Sequence, residues 1–399
     1  MYHVGDITKL DGHTLAPVEC ITGGSPCQDL SIAGKREGLA GERSGLFMEM
    51  IRVIREMREE DIKNGRTNEH IRPRFVIWEN VAGAFTSNRG QDFRAVLEEF
   101  CRIKESDISI PMPDNGKWAH SGAIAGNGFS LAWRLMDAQY FGVPQRRKRI
   151  ALVVDYGGEN AADILFTGKP FVGDITDGRF GKVLPVEEGL RRDFETSREA
   201  REGVAGSAEK CADKTGFLQI VYDWHRPDTR MTELGDVCVT MSANWGTGGN
   251  NTPYVLEGNG SRESHHGDGY KESEVMYTLN TVEHHAICDK RTTVIRRLMP
   301  IEAERLQGYP DNWCDIPGAS DNAKLKALGN SMALPQWQII IDNMAKYLPE
   351  KATLGSLFDG IGGFPLCWER THGKGTAIWA SEIEPFPIAV TKYRFGGEE

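Results

Sequence analysis

Three features are missing from this chain: cysteine pairs with metal-ligand spacing, a long apolar run, and an excess of basic residues. The eight cysteines are scattered and contain no Cys-x-x-Cys motif, so neither a disulfide framework nor a structural zinc site is expected. The nearest approach to ligand spacing, at His284, His285 and Cys288, has no partner motif, and no metal is predicted. No apolar run approaches the roughly 20 residues of a bilayer span. The start of the chain lacks the basic and apolar regions of a signal peptide.

The charge balance is acidic, with 57 Asp and Glu against 47 Lys and Arg and a formal net charge of −10. This argues against a protein that coats nucleic acid nonspecifically. It leaves room for a local basic cleft, since binding depends on where the charges lie. With 399 residues, 40% hydrophobic and 26% charged, the composition is that of a globular protein large enough for two domains.

The periodicity of the apolar residues predicts an α/β fold. Short apolar runs alternate with helical patterns before about residue 154 and again after 291, which is typical of a doubly wound sheet. Strands are predicted at 75–78, 150–154, 354–358 and 377–380, and helices at 45–60, 92–100, 300–308 and 335–347. A long surface loop is predicted over 104–128, where Pro, Gly, Asp and Asn accumulate.

The chain changes character between 155 and 290. Helical periodicity fades there, and Gly, Asn, Thr and His become frequent around short β-like runs. This pattern predicts a smaller, loop-rich β domain inserted into the α/β fold. We therefore predict α/β segments at 1–154, 291–350 and 351–399, with the insert at 155–290.

One cysteine stands in the turn Ser25-Pro26-Cys27-Gln28, directly after the apolar, glycine-ended run 18–24. Loops that follow parallel strands carry the chemistry of α/β enzymes, so Cys27 is a candidate nucleophile. An isolated cysteine is more often a packing residue. The hypothesis therefore depends on the motifs that follow.

Two further motifs carry candidate polar groups. Glu79 follows four apolar residues, so its carboxyl group is expected to be partly desolvated and able to hydrogen-bond a ring nitrogen. The alternative is a surface glutamate at a strand end. Arg147 and Arg149 belong to the basic run 145–149, which is either a ligand-facing cluster or a solvated face.

A glycine turn at 359–363 lies between a predicted strand and a predicted helix. Glycines allow a tight turn and close approach to a ligand. Glu382 ends the next strand, where a carboxylate can accept hydrogen bonds from ribose hydroxyls. The turn lacks the Lys-Ser/Thr pair of a P-loop and the six-residue dinucleotide pattern. A cofactor with adenosine but without a pyrophosphate is therefore favoured.

Taken in order, these motifs resemble those of the cytosine-5 DNA methyltransferases. The motifs are Ser25-Pro26-Cys27-Gln28, Glu79-Asn80-Val81, Gln145-x-Arg147-x-Arg149, the run from Arg297-Leu298 to Tyr309-Pro310, Gly329-Asn330-Ser331 and the turn 358–363. The resemblance implies a Rossmann-like, S-adenosylmethionine-dependent methyltransferase sheet whose insert is the target recognition domain. It also implies S-adenosyl-L-methionine as cofactor, double-stranded DNA as partner, a monomer, a possible cognate restriction endonuclease, and the cytoplasm of a bacterium or phage-infected cell.

The chain departs from the family in one respect. In the usual order the cofactor turn comes first, whereas here it is near the carboxyl terminus. Joining the end of the chain to its start would restore the usual order. We therefore interpret the chain as a circular permutation of the family pattern, cut in a loop between two strands.

The resemblance assigns roles to individual residues. Cys27 would add to carbon 6 of a cytosine flipped out of the duplex. Glu79 would hold ring nitrogen 3 and the exocyclic amine, Arg149 the ring carbonyl oxygen, and Arg147 would position the cysteine loop. The implied cofactor residues are Phe358, Asp359, Gly360, Gly362, Gly363, Glu382, Ile383, Asp6, Ile7, Pro26, Leu46, Asn330 and Ser331. The candidate DNA-binding residues are Gln28, Ser31, Ser242, Asn244, Trp245, Asn250 and Asn251, because Asn can contact base edges.

Three alternatives stay open at this point. Some relatives methylate RNA, although the long insert favours DNA. A catalytically inactive DNA-binding homologue would not need Cys27, Glu79 and Arg149 together. A nicotinamide oxidoreductase with an active cysteine would not need Pro-Cys-Gln followed by Glu-Asn-Val.

Overall fold

The computed structural model describes residues 1–25, 45–143, 145–166 and 298–396, together with four short strands between 222 and 296. These residues fall into two compact units. Residues within Met1–Met136, Lys148–Lys169 and Trp337–Glu399 form the first, and those within Asp137–Arg147 and Pro170–Gln336 form the second. The four predicted domain segments stay a prediction.

An eight-stranded sheet forms the framework of the fold. Its strands are β1 (Tyr2–His3), β2 (Cys20–Gly23), β3 (Phe75–Val81), β4 (Ser121–Gly126), β5 (Phe129–Asp137), β6 (Lys148–Asp155), and two that come late in the sequence, Leu354–Leu357 and Ala377–Ser381. We call these last two β11 and β12, because β7 (Tyr222–Trp224), β8 (Met231–Glu233), β9 (Ile287–Asp289) and β10 (Val294–Arg296) precede them. The predicted α/β class and the four predicted strands are confirmed.

The strand order in the sheet is β1-β12-β11-β2-β3-β6-β5-β4. From β1 to β3 every neighbouring pair is parallel, whereas β6 is antiparallel to β3 and β4 to β5. The two strands from the end of the chain thus lie between β1 and β2. β12 is thus the parallel neighbour of β1, the strand that leads to Asp6.

The prediction of a surface loop over 104–128 is wrong for 121–126, which form β4. Their side chains are small and alternate between exposed and half-buried positions, so the sequence carries little apolar signal. β4 forms because it pairs with β5, which is largely buried. The Trp133 indole N–H of β5 donates to the Ala119 carbonyl oxygen at 3.0 Å, and the Trp118 and Trp133 rings meet edge to face.

Eight helices are present in the described part of the chain. They are α1 (Gly45–Lys63), α2 (Gln91–Arg102), α3 (Ala161–Phe166), α4 (Pro300–Leu306), α5 (Asp321–Asn330), α6 (Leu334–Met344), α7 (Gly363–His372) and α8 (Pro385–Phe395). None of them is long and apolar enough to cross a membrane. The predicted helices at 45–60, 92–100, 300–308 and 335–347 are confirmed to within a few residues.

The core of the first unit lies between α1, α2 and the sheet. One face of α1 is buried at Met50, Ile51, Val53, Ile54 and Met57. Phe47, also on α1, packs edge to face on Trp78 of β3 and on Phe100 of α2. Burial of each such side chain stabilises the fold by roughly 1.5–3 kcal/mol, so the carboxyl end of β3 rests on a rigid base.

In and directly after the predicted insert, β7 pairs with β8 and β9 with β10, both antiparallel. The β-like runs of the insert sequence are 218–222, 237–241 and 275–279. Among their residues only Tyr222 falls on a described strand.

Candidate functional site

The turn that leads to Cys27 is held by the end of β3. The Trp78 indole N–H donates to the Ser25 hydroxyl at 3.1 Å, and the Asn80 side-chain amide donates to the Ser25 carbonyl oxygen at 2.9 Å. Ser25 is buried. Two neighbours of Glu79 therefore fix the direction in which the chain leaves β2.

Glu79 and Arg149 form an ion pair at the same edge of the sheet. The distance from Arg149 Nε to Glu79 Oε1 is 2.8 Å, and the two side chains are only 12% and 18% exposed. The antiparallel pairing of β3 with β6 explains the contact. Val81 lies opposite Arg149, and Glu79 shares the face of Val81 because side chains alternate along a strand.

The Glu79 carboxyl group also lies directly against Gly24. A Cβ atom at Gly24 would stand 2.7 Å from Glu79 Oε2, so a larger residue there would displace the end of the Glu79 side chain. A carboxyl group and a guanidinium are thus fixed side by side against the turn, three residues before Cys27. Such a pair presents a donor and an acceptor to the edge of a planar, hydrogen-bonding ring.

The remaining residues around the cysteine lie outside the described part of the chain. They are Pro26, Cys27, Gln28 and Ser31, and in the insert Ser242, Asn244, Trp245, Asn250 and Asn251. Their assigned roles stay predictions.

A second group of candidate residues lies at the carboxyl ends of β11 and β12. The Gly360 N–H donates to Glu382 Oε2 at 2.7 Å, and Glu382 Oε1 accepts from the N–H groups of Ile383 and Glu384. The Asp359 N–H donates to the Ser381 carbonyl oxygen at 3.1 Å. The Glu382 carboxyl group is therefore held in place by backbone N–H groups.

The glycine turn has the backbone that its sequence predicts. Phe358, Gly360 and Gly362 have φ values of 54°, 57° and 81°, in the left-handed region that strains an aromatic residue. A Cβ at Gly362 would stand 2.6 Å from the Phe395 ring, whereas a Cβ at Gly360 would meet nothing within 4 Å. An open backbone face beside a fixed carboxyl group fits an adenosyl group.

Asp6 and Ile7 follow β1 next to this turn. The Ser381 hydroxyl donates to the Gly5 carbonyl oxygen at 2.7 Å, which connects their segment to the end of β12. The pKa of Asp6 is lowered by hydrogen bonds from the backbone N–H and then the hydroxyl of Thr8. Ile7 is buried in the core.

The structure thus places Asp6 after β1, and Phe358 to Gly363 and Glu382 at the ends of the neighbouring strands β11 and β12. Their roles at a cofactor stay predictions. Ile383 is 68% exposed beside Glu382. Leu46 is half-buried against the core.

Arg147, Asn330 and Ser331 belong to the second unit. The buried Arg147 guanidinium donates to the carbonyl oxygens of Gly329 at 3.5 Å and of Ser331, and the Tyr309 and Ser331 hydroxyls are hydrogen-bonded. Arg147 therefore fixes the Gly329-Asn330-Ser331 turn at the end of α5. Its predicted role beside the cysteine stays a prediction.

Two contributions were not identified from the sequence. Trp78 and Asn80 hold Ser25, and the only sequence signal for this was their position on either side of Glu79. The other is the burial of the Asp359 side chain, which is 5% exposed. Among the described residues, Asp11, His13 and Glu56 lie close enough together to share a metal ion, but Asp11 is hydrogen-bonded to His13 and Glu56 to Arg52.

The family described as C-5 cytosine-specific DNA methylase matches residues 2–104 and 122–346, more than half of the chain. The chain belongs to this family. Its members are enzymes that methylate cytosine in DNA, which implies DNA as the substrate and the use of S-adenosylmethionine. The glycine turn at 359–363 of this methylase lies outside the matched residues.

Individual relatives of this methylase are distant. It is 27% identical to a DNA N-6-adenine-methyltransferase of Escherichia phage P1, over 86% of this chain and 55% of that protein. It is 24% identical to the Type II methyltransferase M.Bsp6I of Bacillus sp. (strain RFL6), over 86% of this chain and 84% of that protein. The chain thus spans about half the length of the first and most of the second. A solved structure of S. pombe Dnmt2 methyltransferase aligns with a TM-score of 0.40 and 14% identity, over 84% of this chain and 82% of that one.

Proposed function

We propose that this protein transfers a methyl group from S-adenosylmethionine to carbon 5 of a flipped-out cytosine within a specific duplex DNA sequence. The observation that supports this best is the Glu79–Arg149 ion pair against Gly24 and Ser25. Gly24, which this ion pair contacts, is three residues before Cys27, the cysteine that the reaction needs. Methylation of an adenine amino group, the activity named for the phage P1 relative, needs no such thiol.

The reaction begins with a nucleophile, because carbon 5 of cytosine is too weakly nucleophilic to attack a methyl group. The Cys27 thiolate forms a bond to carbon 6, which makes carbon 5 enamine-like. Glu79 binds ring nitrogen 3 and the exocyclic amine, and Arg149 binds the ring carbonyl oxygen. Once carbon 5 has formed its bond to the methyl group, a base removes the proton from carbon 5, and the bond from Cys27 to carbon 6 breaks.

S-adenosylmethionine, when bound, supplies an electrophilic methyl group. Phe358 and the turn 359–363 would line its adenosyl part, Glu382 would accept hydrogen bonds from the ribose, and Asp6, Ile7 and Ile383 would hold the adenine. Pro26, Leu46, Asn330 and Ser331 would complete the pocket. The contacts of Glu382 with three N–H groups support its part in this assignment, since a carboxyl group that is already oriented loses little freedom on binding.

Loss of this carboxyl group should weaken binding of the methyl donor. Glu382→Ala removes the predicted ribose contact and the acceptor for the Gly360 N–H. Hydrogen bonds to a charged group contribute about 1.5–3 kcal/mol, so the dissociation constant of S-adenosylmethionine should rise more than about tenfold. Calorimetric titration measures it. Lys374→Ala, at an exposed position in the loop before β12, is the control. An unchanged affinity in Glu382→Ala would reject the role.

The chain order is, in our proposal, a circular permutation of the family pattern. Support comes from β11 and β12, which come last in the sequence yet lie between β1 and β2. The glycine turn, which follows β11, therefore lies at the sheet position that the cofactor turn would have if it came first in the chain, as in the usual family order.

The proposed reaction can be tested in a host that lacks DNA methyltransferases of its own. After expression of the protein, bisulfite sequencing should find 5-methylcytosine in DNA at one recurring sequence, while sequencing for N6-methyladenine finds none. Bisulfite sequencing of total RNA from the same cells tests the alternative that the protein methylates RNA. Methyl groups confined to RNA or to adenine would overturn the proposal, and no methylation at all would favour an inactive DNA-binding homologue.

We propose that the stretch 242–251 of the insert, together with Gln28 and Ser31, contacts the target DNA sequence. We further propose that the protein acts on duplex DNA as a monomer. A cognate restriction endonuclease is a possible partner.

A further inference from the structure

The side chain of Asp359 is buried, in the turn next to Gly360. Neither carboxyl oxygen makes a hydrogen bond of good geometry, and the Ser356 hydroxyl is the one nearby donor that acts on them in the described part of the chain. An isolated ionised carboxylate is costly to bury, and such a group keeps its proton instead. A buried acid at this place calls for an explanation, because the turn is the proposed cofactor site.

The surroundings of Asp359 favour the neutral acid. Burial raises its pKa to about 8, the Ser356 hydroxyl lowers it, and the nearby Glu382 carboxylate raises it. Ser356 is on β11 and accepts a hydrogen bond from Thr22 of β2 at 3.3 Å. Glu382 is the titratable group that acts on Asp359 in the described part of the chain, and no cation there offsets it.

The backbone of Asp359 makes two hydrogen bonds that hold the turn. Its N–H donates to the Ser381 carbonyl oxygen at 3.1 Å, and its carbonyl oxygen accepts from the Gly362 N–H at 3.2 Å. The next residue, Gly360, is bonded to Glu382. A shift of the backbone at Asp359 would therefore also disturb the hydrogen bond from Gly360 to Glu382.

We propose that Asp359 is a positioning residue for the cofactor turn, which keeps its donor-binding form only while the Asp359 carboxyl group carries a proton. The inference rests on the proposed function of this turn. When the proton is lost, a buried charge is left without a cation beside it among the described residues and near the half-buried Glu382 carboxylate. The turn relieves the cost of this buried charge by opening. Donor binding is therefore complete well below pH 8 and is lost as the pH rises through that value.

The test compares the wild type with Asp359→Asn, which is neutral at every pH. The probe is methylthioadenosine, because the α-amino group of S-adenosylmethionine itself titrates near pH 8. If only the protonated form binds, the dissociation constant for the wild type should rise about 30-fold between about pH 6.5 and about pH 9.5. For Asp359→Asn it should stay flat. Glu384→Gln, which removes an exposed acid two residues from Glu382, should follow the wild type.

Thermal unfolding gives a second reading that does not depend on a ligand. Because the pKa of Asp359 is raised, the folded state holds a proton that the unfolded state loses. The stability of the wild type relative to Asp359→Asn should thus fall as the pH rises from about 4 to about 8. Asp359→Ala serves if the amide fails to fold.

Three outcomes are distinguishable. Parallel pH profiles for the wild type and the Asp359 variants, in binding and in unfolding, would overturn the inference alone. Failure of the wild type to bind either methylthioadenosine or S-adenosylmethionine at any pH would overturn the proposed function of the turn. A pH step that disappears only in the Asp359 variants would support both.

Discussion

Cys27→Ala should abolish methyl transfer while leaving the affinity for S-adenosylmethionine nearly unchanged. Without the thiolate, carbon 5 of the cytosine is never activated, and removal of a catalytic nucleophile costs on the order of 10⁶ in rate. Donor binding is proposed to depend mainly on the turn 358–363 and Glu382, which a substitution at Cys27 does not touch. Single-turnover transfer of a labelled methyl group and calorimetry measure the two quantities separately.

A duplex that carries 5-fluorocytosine at the target identifies the nucleophile directly. Fluorine replaces the proton that must leave carbon 5, so the bond from sulfur to carbon 6 should persist and the adduct can be mapped by peptide mass. Cys20→Ala is the matched control, since Cys20 lies on β2 and burial raises its thiol pKa well above the ordinary value. It should still form the adduct. An adduct located on a cysteine other than Cys27 would refute the assignment.

Glu79→Gln should lower kcat by about 10²–10⁴, the range for loss of a positioned acid–base group. The amide keeps the size of the side chain but cannot form the ion pair with Arg149. Donor affinity should not change. Gly24→Ala should act on the same group indirectly, because its Cβ would stand 2.7 Å from Glu79 Oε2. Displacement of the carboxyl group by about 1 Å is expected to cost about 10²-fold in rate.

Single-turnover rates with saturating donor measure both variants, and Glu60→Gln provides the control. Glu60 is paired with Lys63 at the surface of α1, where such pairs contribute little. If Glu79→Gln methylates at the rate of the wild type, then Glu79 does not take part in the chemistry. If Gly24→Ala methylates at the rate of the wild type, then the close approach of Gly24 to Glu79 does not affect the chemistry.

Apolar runs were enough to predict the central strands, but not where they end. The run 75–78 predicted β3, yet β3 continues to Val81 because Glu79 and Asn80 pair with Ala151 and Ile150 of β6. The partner strand is some 70 residues away in the sequence, and no local pattern encodes the pairing. The same holds for β4, whose small residues are ordered by β5.

The candidate site was predictable where its residues belong to motifs, as at Glu79, Arg149, Glu382 and the glycine turn. Contacts between distant segments were not predictable. Arg147 bonds to the turn at Gly329 and Ser331, more than 180 residues along the chain. The buried state of Asp359 likewise follows from packing, since an aspartate in a glycine turn is ordinarily a solvated residue.

The position of β11 and β12 between β1 and β2 also governs how the protein folds as it leaves the ribosome. β1 and β2 emerge first but are not neighbours in the sheet, and the two strands that separate them are synthesised only after residue 353. Until then the β2 edge that later pairs with Leu354–Leu357 has no partner, and such an edge invites pairing with other chains. The sheet of this methylase therefore closes late, through contacts of high sequence separation that form slowly, and nascent chains should need protection against aggregation until the glycine turn has been made.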